Sequence, residues 1–386
     1  MSFYPVQRFA MPIGVFVAVC MSLVTGCSGP FFIPVCQAYN NCPSSGGGNS
    51  TNGSYAYVAN YNPGTITGFA VPKTSLTSLK GVLYTLGAQP SAMAANPKGT
   101  LLYVANVSGV FVYVINTNNG SLTLGNNSTP VVSALNPTWL TIDPSGNWLF
   151  MVSNSSNQLL IFQINPKNGV LTQTNQGTIA LSTGNPTQVY ITPDNNHVFV
   201  GLGTGGTDTF LFNRNTGLVS NQLHIRPLIN GGSSDNTFGA DNKSAYLFIG
   251  EAGSGIRVLS IASSGALNEI SGSPFQSQLG PSSIVVDPSN AFVYVANRTA
   301  NVITGYSLAA TGVLTQLSSS PFQTGNGPTQ MSLDSTGSYL LVISAGGNPD
   351  LRVFKFDAAT PGKLDIVTST STGTDPVAAI SLSVVP

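Results

Sequence analysis

Few side chains in this sequence could do chemistry, and their surroundings decide of what kind. The word YVAN occurs at residues 57–60, 103–106 and 294–297, and only the last copy is followed by an arginine, Arg298. A guanidinium is permanently charged and presents its donors in a fixed fork, so its place in the fold decides whether it acts on a ligand or decorates a surface. The chain has two histidines. His197 opens the apolar run of DNNHVFVG and reads as a strand-end surface residue, while His224, in NQLHIRPL, reads as part of an irregular outer segment without a catalytic role. Asp208, Asp235, Asp350 and Asp375 fall in or near loops where carboxylates could gather round calcium, but their spacing fits no calcium loop, and no metal is expected. The stretch GTGGTDT at 203–209 has the look of a phosphate cradle, yet no helix N-terminus or lysine follows, so it reads as a flexible rim loop.

The four cysteines divide by position. Residues 1–26 carry a basic Arg8 and an apolar stretch from about Ile13 to Val24, roughly half the length of a membrane-spanning helix, which reads as an export signal. Leu23-Val24-Thr25-Gly26-Cys27 resembles a bacterial lipobox, with an ordinary signal cleaved nearby as the alternative. Cys27 would then carry diacylglycerol, and Ser28 after it points to the outer membrane or cell surface. Cys20 leaves with the signal. Cys36 and Cys42 remain, in a compartment that permits oxidation, as a small-loop disulfide or as two free thiols. Between them and the fold, residues 43–54 are almost all Ser, Gly, Asn and Thr, so the segment 27–54 reads as a lipidated tether, with residues 28–54 spanning about 30 Å.

Only 7% of residues are charged, and 13 basic side chains balance 13 acidic ones without a run of either sign. That excludes nucleic acid and an anionic membrane surface as partners, leaving the lipid as the only membrane contact. Aromatic and β-branched residues are plentiful, which favours strands.

An internal period settles the architecture. A proline before an alternating apolar run recurs at Pro90, Pro137, Pro186, Pro281, Pro328 and Pro376, with one copy lacking it near Ser234. Each unit continues with a tight turn such as Asp143-Pro144-Ser145-Gly146, where the acid bonds its own backbone. An apolar second strand follows, then a third strand, then a turn such as Asn119-Gly120, and a weaker fourth strand. Four antiparallel strands in about 47 residues make a propeller blade. The expectation is all-β: a seven-bladed β-propeller over residues 55–386. It opens on a second strand, Tyr55–Ala59, and ends on a first strand, Val377–Val385, so both termini share one blade and close the ring.

The strand word, the turn pattern and the seven units resemble the lactonase family of seven-bladed propellers, which includes 6-phosphogluconolactonases. The family's Asn-Glu-Leu and Asn-Arg-Gly-His match Gly250-Glu251-Ala252 and Asn297-Arg298-Thr299-Ala300, so Glu251 and Arg298 are kept and the histidine position is Ala300. The family's Pro-Arg-His falls on Ser234-Asp235-Asn236, losing an arginine and a histidine. The resemblance implies Glu251 as base and Arg298 as oxyanion partner in lactone hydrolysis, without the cations a phosphorylated sugar calls for. The bland alternative is an ion pair between blades. Two functions follow as expectations. The first is a lipid-anchored binding or scaffold module for a small neutral ligand, glycan or peptide, monomeric and without cofactor. The second is a lactonase acting on an unphosphorylated lactone.

Overall fold

Each repeat is set by its first turn. In the computed structural model, which describes residues 54–62, 64–71, 81–133, 135–182, 184–226, 234–253, 255–346, 349–372 and 377–386, Asp143 is fully buried at such a turn. Its Oδ1 accepts the backbone N–H groups of Asn147 (2.8 Å) and Trp148 (2.7 Å), and its Oδ2 accepts that of Ser145 (3.1 Å). Asp241, Asp287 and Asp334 repeat this, and Asn96 does so with its amide oxygen. The turn thereby delivers an apolar second strand in fixed register with the first. The expected signal, the lipid site Cys27, the Cys36–Cys42 pair and nearly all of the tether lie outside the described residues. Among the described residues no helix is long and apolar enough to cross a membrane.

The recurring word now has a physical meaning. Its tyrosine crosses to the next blade: the hydroxyls of Tyr57, Tyr103 and Tyr294 donate to the carbonyls of Gly120 (2.7 Å), Gly169 (2.8 Å) and Gly362 (2.9 Å). These glycines belong to the turns between third and fourth strands. At Gly120, φ is +71° and a Cβ would lie 2.2 Å from the Tyr55 ring, so only glycine fits. The asparagine ends the strand: Asn297 bonds Thr304 Oγ1 (2.9 Å) and the Val295 carbonyl (2.9 Å), and Asn106 accepts the Ser108 N–H (2.8 Å).

Seven antiparallel sheets result, numbered here as blades 1–7 in chain order of their second strands: Ser54–Asn62, Leu101–Asn106, Trp148–Ser153, His197–Gly201, Tyr246–Glu251, Phe292–Asn297 and Tyr339–Ser344. First strands lie innermost and neighbour one another round the axis. Blades 2 and 6 add short fifth strands, Val132–Ser133 and Phe322–Gln323, against their third strands. The core sits between blade faces; Tyr103, Leu149, Met151 and Leu160, for example, fill the gap between blades 2 and 3. Closure is as expected: Val377–Val385 pairs antiparallel with the opening strand, Tyr55 opposite Val385 and Ala59 opposite Ser381. Ser54, where the ring begins, bonds the hydroxyl (2.6 Å) and backbone N–H (2.9 Å) of Ser335 in the first turn of blade 7.

Two local readings are corrected. The copy without proline places Asp235 opposite Glu251, as Pro281 stands opposite Asn297, so Asp235 and not Ser234 occupies the proline position. In blade 4 Thr192 begins the turn, its hydroxyl accepting the His197 N–H (3.1 Å). His197 is therefore the first residue of the second strand, and it is buried rather than on the surface. The equivalent Trp148 and Tyr246 reach across to carbonyls of the following blade, Arg214 (2.8 Å) and Ala310 (3.1 Å), and His197 faces that same interface.

Burial pushes the His197 imidazole below its usual 6.5, against the opposing pull of the Asp194 charge and the Ala262 backbone. A base with a depressed folded pKa binds fewer protons folded than unfolded, so this contribution to stability is full above pH 6.5 and falls as pH drops below it towards the folded value. Thermal melts between about pH 8 and about pH 5.5 should show wild type losing more stability on acidification than His197→Phe, and parallel losses in both proteins would refute this.

Candidate functional site

The rim where first strands start and second strands end surrounds the mouth of the axial channel. A belt of hydroxyls holds it: Ser91, Thr138 and Ser282, each just after the proline, donate to the carbonyls of Pro137 (2.6 Å), Pro186 (3.3 Å) and Pro328 (2.7 Å) of the next blade. Below it lies a cavity of about 300 Å³ to which the inner strand of every blade contributes. Trp139, Thr141, Gln188, Tyr190, Thr237 and Gln330 are among its walls, and among the described residues no Asp, Glu, Lys, Arg or His lines it. Gln188 Oε1 accepts the Phe238 N–H (3.2 Å) and Tyr190 Oη the Ala240 N–H (3.0 Å), which fixes both side chains from the neighbouring blade. Burial, with the Asp241 charge adding to it, pushes the Tyr190 hydroxyl up to about 12 against the Ala240 hydrogen bond, so the wall stays uncharged. Such a cavity offers a flat aromatic face, amide donors and acceptors, and hydroxyls; it offers nothing to neutralise an anion.

Glu251 and Arg298 both stand where second strands reach this rim, in neighbouring blades 5 and 6. Neither lines the cavity. Glu251 is fully buried, and its Oε1 lies 3.5 Å from Nη1 of Arg257 on the third strand of its own blade. Arg257 in turn reaches Glu269 Oε2 on the fourth strand (3.3 Å) and donates to the Arg226 carbonyl (2.9 Å), so the charges run outward along blade 5, away from the axis. Arg298 is exposed in the turn after its strand, with its stem over Gly327 at the lead-in to blade 7, the neighbour opposite to blade 5. Among the described residues it has no ion-pair partner. Sequence reasoning did not join Arg257 to Glu251 because the pairing is diagonal across two strands, visible only once Glu251 is registered opposite Gly255.

The other acids separate. Asp350 is buried, accepting the Thr372 N–H (3.1 Å) and the Ser371 hydroxyl (3.2 Å). Asp375 lies outside the described residues. The stretch 203–209 is loop only to 206: Thr207–Asn213 is the third strand of blade 4, and Asp208 within it is fully buried. His224 lies not in an irregular segment but in the fourth strand, Leu218–Ile225, opposite Asp208. Among the described residues no three of His, Cys, Asp and Glu come together as metal ligands would.

The comparisons decide the lineage. A family model for "Lactonase, 7-bladed beta-propeller" matches residues 48–135, 107–190 and 183–381. The chain belongs to this lactonase family. No curated protein matches it by sequence. Among solved structures, this lactonase-family propeller is similar to a Bacteroides fragilis protein named as a candidate 6-phosphogluconolactonase (19% identity, 88% of this chain and 99% of that one, TM-score 0.71). It is similar also to a Lactobacillus plantarum protein (20% identity, 86% and 99%, TM-score 0.70) and to the periplasmic gluconolactonase of Pseudomonas aeruginosa (17% identity, 83% and 98%, TM-score 0.65). At such identities the likeness shows the propeller, and the site must be argued from its own residues.

Proposed function

We propose that this propeller is a binding module that takes a small, neutral, hydroxylated ligand such as a sugar into its axial channel, held at the bacterial outer membrane or cell surface by lipid on Cys27. The observation that carries the binding is the uncharged cavity, with Trp139 beside amide and hydroxyl groups: stacking on an aromatic face and hydrogen bonds to hydroxyls need no charge, whereas a phosphorylated sugar needs cations. The anchor rests on the sequence Leu23–Cys27.

The chain has two tryptophans, and Trp148 is buried with its Nε1 bonded to Arg214 O, so a ligand entering the channel changes the fluorescence of Trp139. Titration with neutral saccharides should give a saturable change, and Trp139→Ala should weaken binding about 10-fold, the worth of one aromatic contact. No change with any neutral saccharide, while an anionic sugar phosphate binds, overturns this reading. The competing reading, hydrolysis of an unphosphorylated lactone, keeps Glu251 and Arg298 as the pair that stands on one rim. It requires turnover of gluconolactone that Glu251→Gln removes.

A further inference from the structure

On the outer strands of blade 4, away from the axial channel, one cluster has the parts of a proton-transfer site. Asp208 on the third strand of blade 4 is fully buried, and each of its described partners is a donor or can be one. Its Oδ2 accepts the Ser182 backbone N–H (2.7 Å) from the segment leading out of blade 3 and the Gln222 side-chain amide (3.0 Å); its Oδ1 lies 2.8 Å from Nδ1 of His224. A carboxylate held this way can only accept, so Nδ1 of the neutral imidazole carries the proton and Nε2 carries the lone pair. The His224 side chain is 31% exposed, and Asp208 is its partner among the described residues, so the ring can be reached from solvent. A buried acceptor fixing the tautomer of a solvent-facing imidazole is the arrangement by which a carboxylate makes histidine a general base.

We propose that Asp208 and His224 form a second reactive site, on the outer flank of blade 4, that hydrolyses small neutral esters arriving from solvent. Nε2 takes a proton from a water as its oxygen bonds to the ester carbonyl carbon, giving a tetrahedral intermediate and an imidazolium beside the Asp208 carboxylate. The intermediate collapses by breaking the bond to the alcohol oxygen, which leaves with the proton that Nε2 returns. One ester and one water give one acid and one alcohol. His224 is the catalytic residue. Asp208 is a positioning residue, acting through the imidazole.

The test uses the full chain with p-nitrophenyl acetate as the probe. His224→Gln, on an exposed strand edge, should cut the protein-dependent rate about 100-fold, the lower range of what positioned proton transfer contributes. Asp208→Asn should lower the rate as well and shift His224 from the Nδ1–H to the Nε2–H tautomer, read from the ring-nitrogen chemical shifts of labelled protein; a carboxamide that merely preserved packing would leave the tautomer alone. Should Asp208→Asn fail to fold, the His224→Gln rate and the wild-type tautomer decide alone. A rate unchanged in His224→Gln, or an Nε2–H tautomer in the wild type, overturns the proposal. Neither result bears on saccharide binding in the channel, which is read separately through Trp139.

Discussion

Deleting residues 377–386 should leave a chain that no longer folds to a monomeric disc. Val377–Val385 is the innermost strand of blade 1, and without it the edge of Ser54–Asn62 away from Thr65–Val71 presents unpaired N–H and C=O groups along a strand whose Ala56, Tyr57, Val58 and Ala59 are completely buried in the intact ring. An open edge of that kind recruits other chains. The same deletion removes the wall between the inner strands of blades 2 and 7, which both pack on the closing strand. The combined loss exceeds the roughly 5–15 kcal/mol that holds a domain folded. Gel filtration with near-ultraviolet circular dichroism is the measurement: loss of the aromatic signal and of the monomer peak is expected, and a truncated chain that melts cooperatively as a monomer contradicts the closure argument.

The second large effect lies in a single carboxylate. Asp143→Ala should cost about 3–5 kcal/mol, because it strands several donors, of which the Trp148 N–H and the Asn195 amide are buried and worth about 1–3 kcal/mol each when left without an acceptor. The donors are the N–H groups of Asn147, Trp148 and Ser145 and the Asn195 amide of blade 4, which reaches Asp143 Oδ2 at 2.6 Å. Asp143→Asn keeps one acceptor oxygen for the first two and puts an amide where Asn195 and the Ser145 hydroxyl donate, so it should fall between wild type and alanine. Urea denaturation of the three proteins checks the order. Equal midpoints for Asp143→Ala and wild type would show that water replaces the carboxylate without loss.

The fold was legible because its determinants are local and repeated. A proline, an acid at the first turn and a glycine at the last recur at fixed offsets, and each marks a backbone requirement rather than a preference. Departures from the repeat were harder to read. Thr192 caps its turn in place of aspartate, which hid the start of the second strand of blade 4 by one residue and left His197 looking exposed; its alignment five residues after the capping position, as with Trp148 and Tyr246, was the available signal. The site was less legible than the fold. Glu251 and Arg298 can be found by their neighbours in sequence, but where their side chains go depends on pairings with Arg257 and on the lean over Gly327, which span strands and blades. Asp208 and His224 are 16 residues apart and meet only because a hairpin folds at that register.

The attachment of Ser54 to the turn at Ser335 fixes more than the start of the ring. It puts the N-terminal exit on the face opposite the rim of Glu251, Arg298 and the channel mouth, and the last residue, Pro386, leaves beside Gly99 on that same far face. With the lipid proposed on Cys27, the tether would join the disc on this far face and leave the opening of the axial cavity, on the other face, clear of the attachment.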